Sequence, residues 1–282
     1  MADPMPASGN ADITAVVPCF NYGAYLHEAL DSLLAQEGGP PRIVVVDDGS
    51  TEPETLEALE RVPEGVEVIH KRNEGLAEAR NTGYRSTDTP YLIALDADDR
   101  MPPGALRAMR AVLDDEPGVG WAYGTTRFFG DWEGEMRMPP FDPYRMLYRH
   151  TIGPVALTRR TLFEDVGGYD SVFNGLEDWE FWLHAIERGW RGRQVDAVTF
   201  DYRRHGATMV VGARRNYRYY RRELRRKHAA LYARRAELAR QSDLGPIGRL
   251  VYRWFWGERP VPAKLEHRIY SVVFRQGRPS AA

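Results

Sequence analysis

Three acids packed into four positions end an apolar run over residues 91–99 (YLIALDADD): Asp96, Asp98 and Asp99 follow Leu92, Ile93, Ala94 and Leu95. A continuous apolar run of that length reads as a buried strand of a parallel sheet. Open α/β sheets bind ligands just beyond the carboxyl ends of their strands. Carboxylates placed there repel one another, so the chemistry they suit is cation binding. Hard oxygen ligands favour Mg2+ or Mn2+ over zinc, and such ions sit on one or two carboxylates plus substrate phosphates. A second acid pair, Glu177 and Asp178, opens a helix whose remaining face is aromatic. The helix dipole favours acids in a first turn on structural grounds alone. The same dipole would keep a catalytic carboxylate ionised and ready to take a proton from a hydroxyl.

Other residues carry two readings each. Asp48 ends the apolar run 43–46 and precedes Gly49-Ser50-Thr51. That pattern serves an Asx-turn or a hydrogen bond to a base or ribose. Arg80 follows Asn73-Glu74-Gly75 on a helix, as a solvated charge or as a hand toward a diphosphate. His205 follows a strand over 197–200, as a structural imidazole or as a metal ligand.

The elements that must position these residues alternate. Strands are expected at 13–17 (stopped by Pro18), 43–46, 66–70 and 92–95, and helices at 25–36, 54–61, 76–85 and after Pro102-Pro103. Alternation of this kind implies right-handed βαβ units and a mainly parallel sheet. After Gly118 the texture changes: a strand over 121–129, a Pro- and Gly-rich loop over 130–143, a short strand over 155–157, and a helix over 161–166 closed by Gly167-Gly168. A strong helix follows over 176–188, with Trp179, Trp182, Leu183 and Ile186 on one face. Residues 213–241 interleave arginines with tyrosines and read as one long helix with a basic face, ended by Gly245-Pro246. The tail 247–274 mixes Trp254, Phe255 and Trp256 with Arg and Lys.

At 282 residues the chain is long enough for one large α/β domain with an appendage. A net charge of −2 and the lack of a nucleic-acid motif argue against nucleic acid as a partner. The single cysteine, Cys19, excludes an internal disulfide and a cysteine-based zinc site. The first residues have neither the basic nor the apolar segment of a signal peptide. No apolar run reaches the length of a transmembrane helix, so a cytoplasmic location is expected, with or without peripheral attachment to the inner face of the membrane.

Taken together, the segments VVPCFNYGAYLHEALDSLLAQ, VVVDDGST, NEGLAEARNTG, LDADD, VGGYD, GLEDWEFWL and YRRHGATM resemble, in order, the inverting family 2 glycosyltransferases. The resemblance covers about residues 12–210 and implies a GT-A fold: α/β, a Rossmann-like mainly parallel sheet flanked by helices, with a C-terminal helical extension. Within that span it divides the chain into a nucleotide-sugar-binding half (12–118) and an acceptor-binding and catalytic half (119–212), to which composition adds a disordered N-terminus (1–11) and a basic, aromatic extension (213–282). It implies that Pro18, Phe20 and Asn21 line the nucleotide pocket, that Asp48 meets the base and that Arg80 lies near the nucleotide or diphosphate. Asp96 and Asp98 match the family's DxD motif, with Asp98 as direct metal ligand, Asp96 on ribose or metal, and Mn2+ or Mg2+ as the ion. Asp178 matches the general base, with Glu177 orienting the acceptor or its loop, and His205 matches a position beside metal and diphosphate. Near His205 the family pattern has Ser where this chain has Thr208 and Met209. The implied donor is a UDP-, dTDP- or GDP-sugar, and the acceptor a hydroxyl on a cell-envelope glycan, a lipid-linked molecule or a natural product.

Two other functions stay open. A nucleotidyltransferase shares an acid-tipped sheet but needs a basic, Gly-rich loop after the first strand, and residues 18–23 hold no Lys or Arg. A non-catalytic GT-A-like scaffold could associate through its basic helix. Residues 213–282 suit either peripheral contact with an anionic membrane or a homodimer interface.

Overall fold

The computed structural model describes residues 9–173, 175–205 and 217–256. Its first half follows the apolar runs. Strands β1 (Ile13–Cys19), β2 (Arg42–Asp47), β3 (Glu67–His70) and β4 (Tyr91–Ala94) pair in parallel in the order β3-β2-β1-β4. Every residue of β1 and β4 is buried, so these strands need apolar side chains on both faces. Side-chain alternation then splits the core in two. Val16, Val44, Val46 and Leu92 face one layer, whereas Ala15, Val17, Val45 and Ile93 face the other. Helices α1 (Gly23–Leu34), α2 (Pro53–Glu60) and α4 (Ala105–Asp115) cover the second layer, and α3 (Leu76–Arg85) covers the first.

Pro18 does not stop β1 but lies inside it, opposite Val46. Val16 O, which accepts from Leu95 N, points toward β4. With a period of two, the nitrogen of Pro18 points the same way, past the end of β4 at Ala94, where no ladder bond is lost.

The second half extends the sheet. β7 (Leu157–Arg159) pairs antiparallel with both β4 and β5 (Trp121–Gly130), β6 (Gly134–Met136) forms a hairpin with β5, and β8 (Gly192–Arg204) runs parallel along the other edge of β5. The result is an eight-stranded sheet. Helices α5 (Pro143–Met146), α6 (Arg160–Val166) and α7 (Glu177–Glu187) lie on the first layer. α6 closes where expected: Gly167 takes φ 88° and its N–H donates to Phe163 O at 2.9 Å. This mixed α/β sheet flanked by helices is the class that the sequence implied.

Several boundaries differ. Residues 9–11 are ordered, because Asn10 is buried and its amide donates to Glu37 O and Gly39 O. The loop over 130–143 contains β6, and the short strand sits at Leu157–Arg159 rather than 155–157. The single long helix expected over 213–241 is three within its described part: α8 (Tyr217–Lys227), α9 (Ala229–Ala233) and α10 (Arg235–Gln241). No Gly or Pro marks the first break. Its cause is tertiary: His228 is buried, with Nε2 3.1 Å from Glu180 Oε1 and Nδ1 2.8 Å from Glu187 Oε2 on α7. Gly245-Pro246 starts a helix instead of ending one, since Pro246 is the first residue of α11 (Pro246–Phe255). Residues 1–8, 174, 206–216 and 257–282 lie outside the described residues. Among the described residues no helix is long and apolar enough to cross a membrane.

Candidate active site

The acids after β4 form a tight turn, with Asp99 N donating to Asp96 O at 3.0 Å. The end of β8 is stitched to it. Arg203 N donates to Asp99 Oδ1 at 2.8 Å, Arg203 Nε donates to Asp98 O at 2.7 Å, and Arg100 and Asp201 form a bridge. This stitching sets His205 Nε2 2.9 Å from Asp98 Oδ2. The rings of Tyr22 and Tyr25 flank the imidazole at 5.9 and 5.1 Å. Burial and the neighbouring Asp96 raise the pKa of Asp98. Burial and the charges of Asp98 and Asp96 push Asp99 well above the usual carboxylate range, and its Oδ2 is a buried atom with no partner. Asp99 thus anchors the backbone two residues before His205.

These groups fit a hard divalent ion that takes most of its ligands from elsewhere. Asp98 and His205, with Asp96 beside them, present carboxylate oxygens and one imidazole. Among the described residues no cluster of three or more His, Cys, Asp or Glu forms a ready-made cage. Mg2+ suits such a site, because it is held by one or two carboxylates with substrate phosphates completing the shell.

Arg80 joins this turn to the far side of the site. Its Nη2 donates to Asp96 Oδ1 at 2.7 Å and its Nη1 to Glu177 Oε1 at 2.9 Å, while the residue is only 2 % exposed. Its guanidinium also lies 5.6 Å from the centroid of the Tyr169 ring. The sequence offered Arg80 as a hand toward a diphosphate. The structure buries it as a tie between two acids. Neighbouring Asn81 completes the tie, donating to Tyr169 O and accepting from Tyr169 N at 2.9 and 2.8 Å. The chain entering α7 is thereby held against α3.

α7 opens at Glu177. Glu177 Oε2 accepts from Gly175 N at 2.7 Å, and burial raises its pKa despite Arg80. The Asp178 side chain is 14 % exposed, and the partial loss of water around it pushes its pKa up to about 6 against the pull of Arg80. Its Oδ1 accepts from Trp179 N at 2.8 Å, and its Oδ2 lies 3.5 Å from His150 Nε2. His150 was missed in the sequence, where no motif surrounds it. It stacks on Trp179 at 6.1 Å with the planes 13° apart, its Nε2 is a buried atom with no hydrogen bond, and burial pulls its pKa down to about 3. A neutral imidazole thus stands beside Asp178.

The third cluster lies at the carboxyl ends of β1 to β3. Asp48 Oδ1 and Oδ2 accept from Glu74 N and Gly75 N at 2.9 and 2.7 Å, and Lys71 Nζ is 3.6 Å from Oδ1. Gly49 takes φ 77°, and a Cβ there would meet Asn73 N at 2.7 Å, so only glycine lets the two loops approach this closely. Asn21, also left-handed at φ 58°, accepts from Thr51 N at 2.8 Å and Glu52 N at 3.1 Å through Oδ1. Pro18 is buried in β1, whereas Phe20 is 44 % exposed at the strand's exit. The expected nucleotide-side residues thus share one sheet edge with the acids. Thr208 and Met209 lie outside the described residues.

The sequence profile of glycosyl transferase family 2 matches residues 14–173, more than half of the chain. The chain belongs to this family. Family relatives include an uncharacterized glycosyltransferase of Haemophilus influenzae, 27% identical over 183 residues, which cover 62% of each chain. A PGL/p-HBAD biosynthesis glycosyltransferase of Mycobacterium bovis BCG is 30% identical over 177 residues, covering 59% of this chain and 66% of its own length. The chain spans less than two thirds of the first of these, and only 26% of the Streptococcus pneumoniae glycosyltransferase GlyA. Among solved structures, S. aureus TarS 1-349 in complex with UDP-GlcNAc superposes with a TM-score of 0.65 at 19% identity, covering 92% of this chain and 73% of that one. The mannosyltransferase PcManGT from Pyrobaculum calidifontis, in complex with GDP-Man and Mn2+, gives 0.54 at 22% identity over 86% and 68%. Identity at that level carries the fold alone, and the fold is the family's GT-A sheet.

Proposed function

We propose that the protein is a metal-dependent, inverting glycosyltransferase that moves a sugar from a nucleotide-diphosphate donor to an acceptor hydroxyl. The observation that carries this reading is the buried Arg80, which bridges Asp96 on the strand-end turn and Glu177 beside Asp178. One link thus relates the donor-side acids to a half-buried carboxylate whose pKa, about 6, suits a base near neutral pH. The UDP-GlcNAc and GDP-Man bound by the two structural neighbours support a nucleotide-sugar donor.

The nucleotide lies along the loops of Pro18, Phe20, Asn21 and Asp48, with the diphosphate directed at Asp96 and Asp98. Asp98, His205 and Asp96 would hold a Mg2+ or Mn2+ ion, which when bound would neutralise charge growing on the diphosphate. Asp178 Oδ2 takes the proton of the acceptor hydroxyl as its oxygen attacks the anomeric carbon from the face opposite the leaving diphosphate. A single displacement inverts that centre. Glu177, held by Arg80, fixes the first turn of α7 and hence the position of the base. Ordered groups around a site screened from water supply much of the rate. Nucleotidyl transfer is disfavoured, because the segment after β1 holds no cation for a triphosphate.

The test is a panel of UDP-, dTDP- and GDP-sugars with Mn2+ and with EDTA, read by thermal shift and donor hydrolysis. One donor raising the melting point only with metal is the expected outcome, since a ligand of the native state stabilises it by mass action. No shift with any donor moves the reading to a scaffold. The anomeric configuration of the product, read by NMR, then tests inversion.

A further inference from the structure

We propose that α11 docks the protein on a membrane surface that carries anionic lipid. This proposal stands apart from the catalytic reading, since it concerns a face of the molecule that the site does not use.

The residues of α11 divide by face. Tyr252 and Trp256 are buried against the core, Arg249 O accepts from the Tyr144 hydroxyl at 3.3 Å, and the Arg149 guanidinium lies 5.6 Å from the Trp256 ring. These contacts seat the helix on the segment around α5. On the outward side, Ile247, Leu250 and Trp254 are 77, 64 and 79 % exposed. Their spacing of three and four residues lines them up on one helical face. Isolated exposed apolar residues need no explanation, but a continuous stripe ending in tryptophan marks an interaction surface. A Trp with aliphatic neighbours suits the headgroup and acyl boundary, where its ring meets both environments.

Charge selects the occupant. Residues 217–256 carry eleven Arg and Lys against three acids, on a chain whose net charge is only −2. Arg218, Arg222, Arg226, Arg234, Arg235 and Arg253 are exposed. Arg253 adjoins Trp254, and Arg235 lies near the same Tyr144 hydroxyl as Arg253. A two-fold dimer through this stripe would set the face against itself, bringing Arg253, next to Trp254, toward its own copy. A surface of phosphate headgroups complements the same arrangement, with each Lys or Arg near it adding to affinity.

The inner side of this helical layer holds the acceptor-side segment. Arg221 Nη1 and the Tyr232 hydroxyl both donate to Leu147 O, at 2.8 and 2.9 Å, just before His150. If the catalytic reading holds, docking through α11 presents that segment to acceptors carried on lipid.

The test is flotation of the full chain with vesicles of phosphatidylcholine alone and of equal parts phosphatidylcholine and phosphatidylglycerol. The expected result is flotation with the anionic vesicles only, weakened by high salt. The combined variant I247S, L250S, W254S alters only exposed side chains, and it should need about tenfold more lipid or lose flotation. The charge reversal Arg253→Glu should weaken flotation in the same direction. Wild-type protein that stays with the soluble fraction in both vesicle types overturns the proposal, as does a triple variant that floats like the wild type. Concentration-dependent dimerisation abolished by the triple variant, without lipid binding, overturns it in favour of a second copy of this chain.

Discussion

Arg80 Nη1 lies 2.9 Å from Glu177 Oε1, joining residues 97 positions apart across the two halves of the sheet. Both side chains are buried, at 2 and 4 % exposure, and the second donor of Arg80 holds Asp96. A buried ion network of this kind adds little net stability over an apolar replacement, but removing one member strands the others. Arg80→Met should therefore cost about 3–5 kcal/mol. Thermal and urea unfolding will read that loss, and the double variant R80M, E177Q should recover part of it. Equal stability of Arg80→Met and wild type would show that Glu177 and Asp96 find other partners.

The raised pKa of Asp178 makes two opposite predictions. As a base it must be ionised, so the transfer rate should be level above about pH 6 and fall about tenfold per unit below it. For stability the sign reverses. An acid whose folded pKa lies above its unfolded value binds its proton more tightly when folded. Stability is then lost as pH rises from the unfolded value toward 6, and stays low above it. Asp178→Asn should bind donor normally and transfer about 100- to 10,000-fold more slowly. It should also be more stable than wild type at pH 8, by up to about 3 kcal/mol. Donor binding by calorimetry, with unfolding at both pH values, separates the two effects.

The parallel strands and their helices were readable because buried βαβ units need continuous apolar runs, and the resemblance of the acid motifs named the edge where they meet. The breaks in the C-terminal helix were not readable. The first coincides with His228 meeting Glu180 and Glu187, a contact between elements that local helix propensity does not encode. The same holds for Arg80: its spacing put it on a helix near the site, but only packing shows it facing inward onto two acids. His150 had no motif at all, since its proximity to Asp178 depends on how the loop after α5 returns over α7.

Asp99 and Asp98 should separate cleanly by mutation. Asp98 meets His205 directly at 2.9 Å, so Asp98→Ala should abolish the metal-dependent thermal shift with donor. Asp99 acts through the Arg203 N–H that it accepts. Asp99→Asn keeps that acceptor and should hold donor affinity within about threefold, whereas Asp99→Ala releases the end of β8 and should weaken it about tenfold, in line with the loss of one hydrogen bond to a charged group. Titrations with Mn2+ and donor will rank the three variants. Equal losses in Asp99→Asn and Asp99→Ala would make Asp99 a direct contact of the ligand.

His150 offers the sharpest check on the acceptor side. Its Nε2 lies 3.5 Å from Asp178 Oδ2, so a hydroxyl that donates to the carboxylate would come within reach of the imidazole as well. Burial holds the ring neutral, with a pKa of about 3, so it offers a hydrogen bond and no charge. His150→Phe keeps the stacking on Trp179 while removing that hydrogen bond. Transfer should fall about tenfold, the cost of one neutral hydrogen bond left unmade, with donor hydrolysis unchanged. The acid limb of the rate profile should stay near pH 6, because a neutral ring does not bias the titration of Asp178. A limb that moves upward by a full unit in His150→Phe would mean that the imidazole is charged in the working enzyme, and that the pair acts as an ion pair.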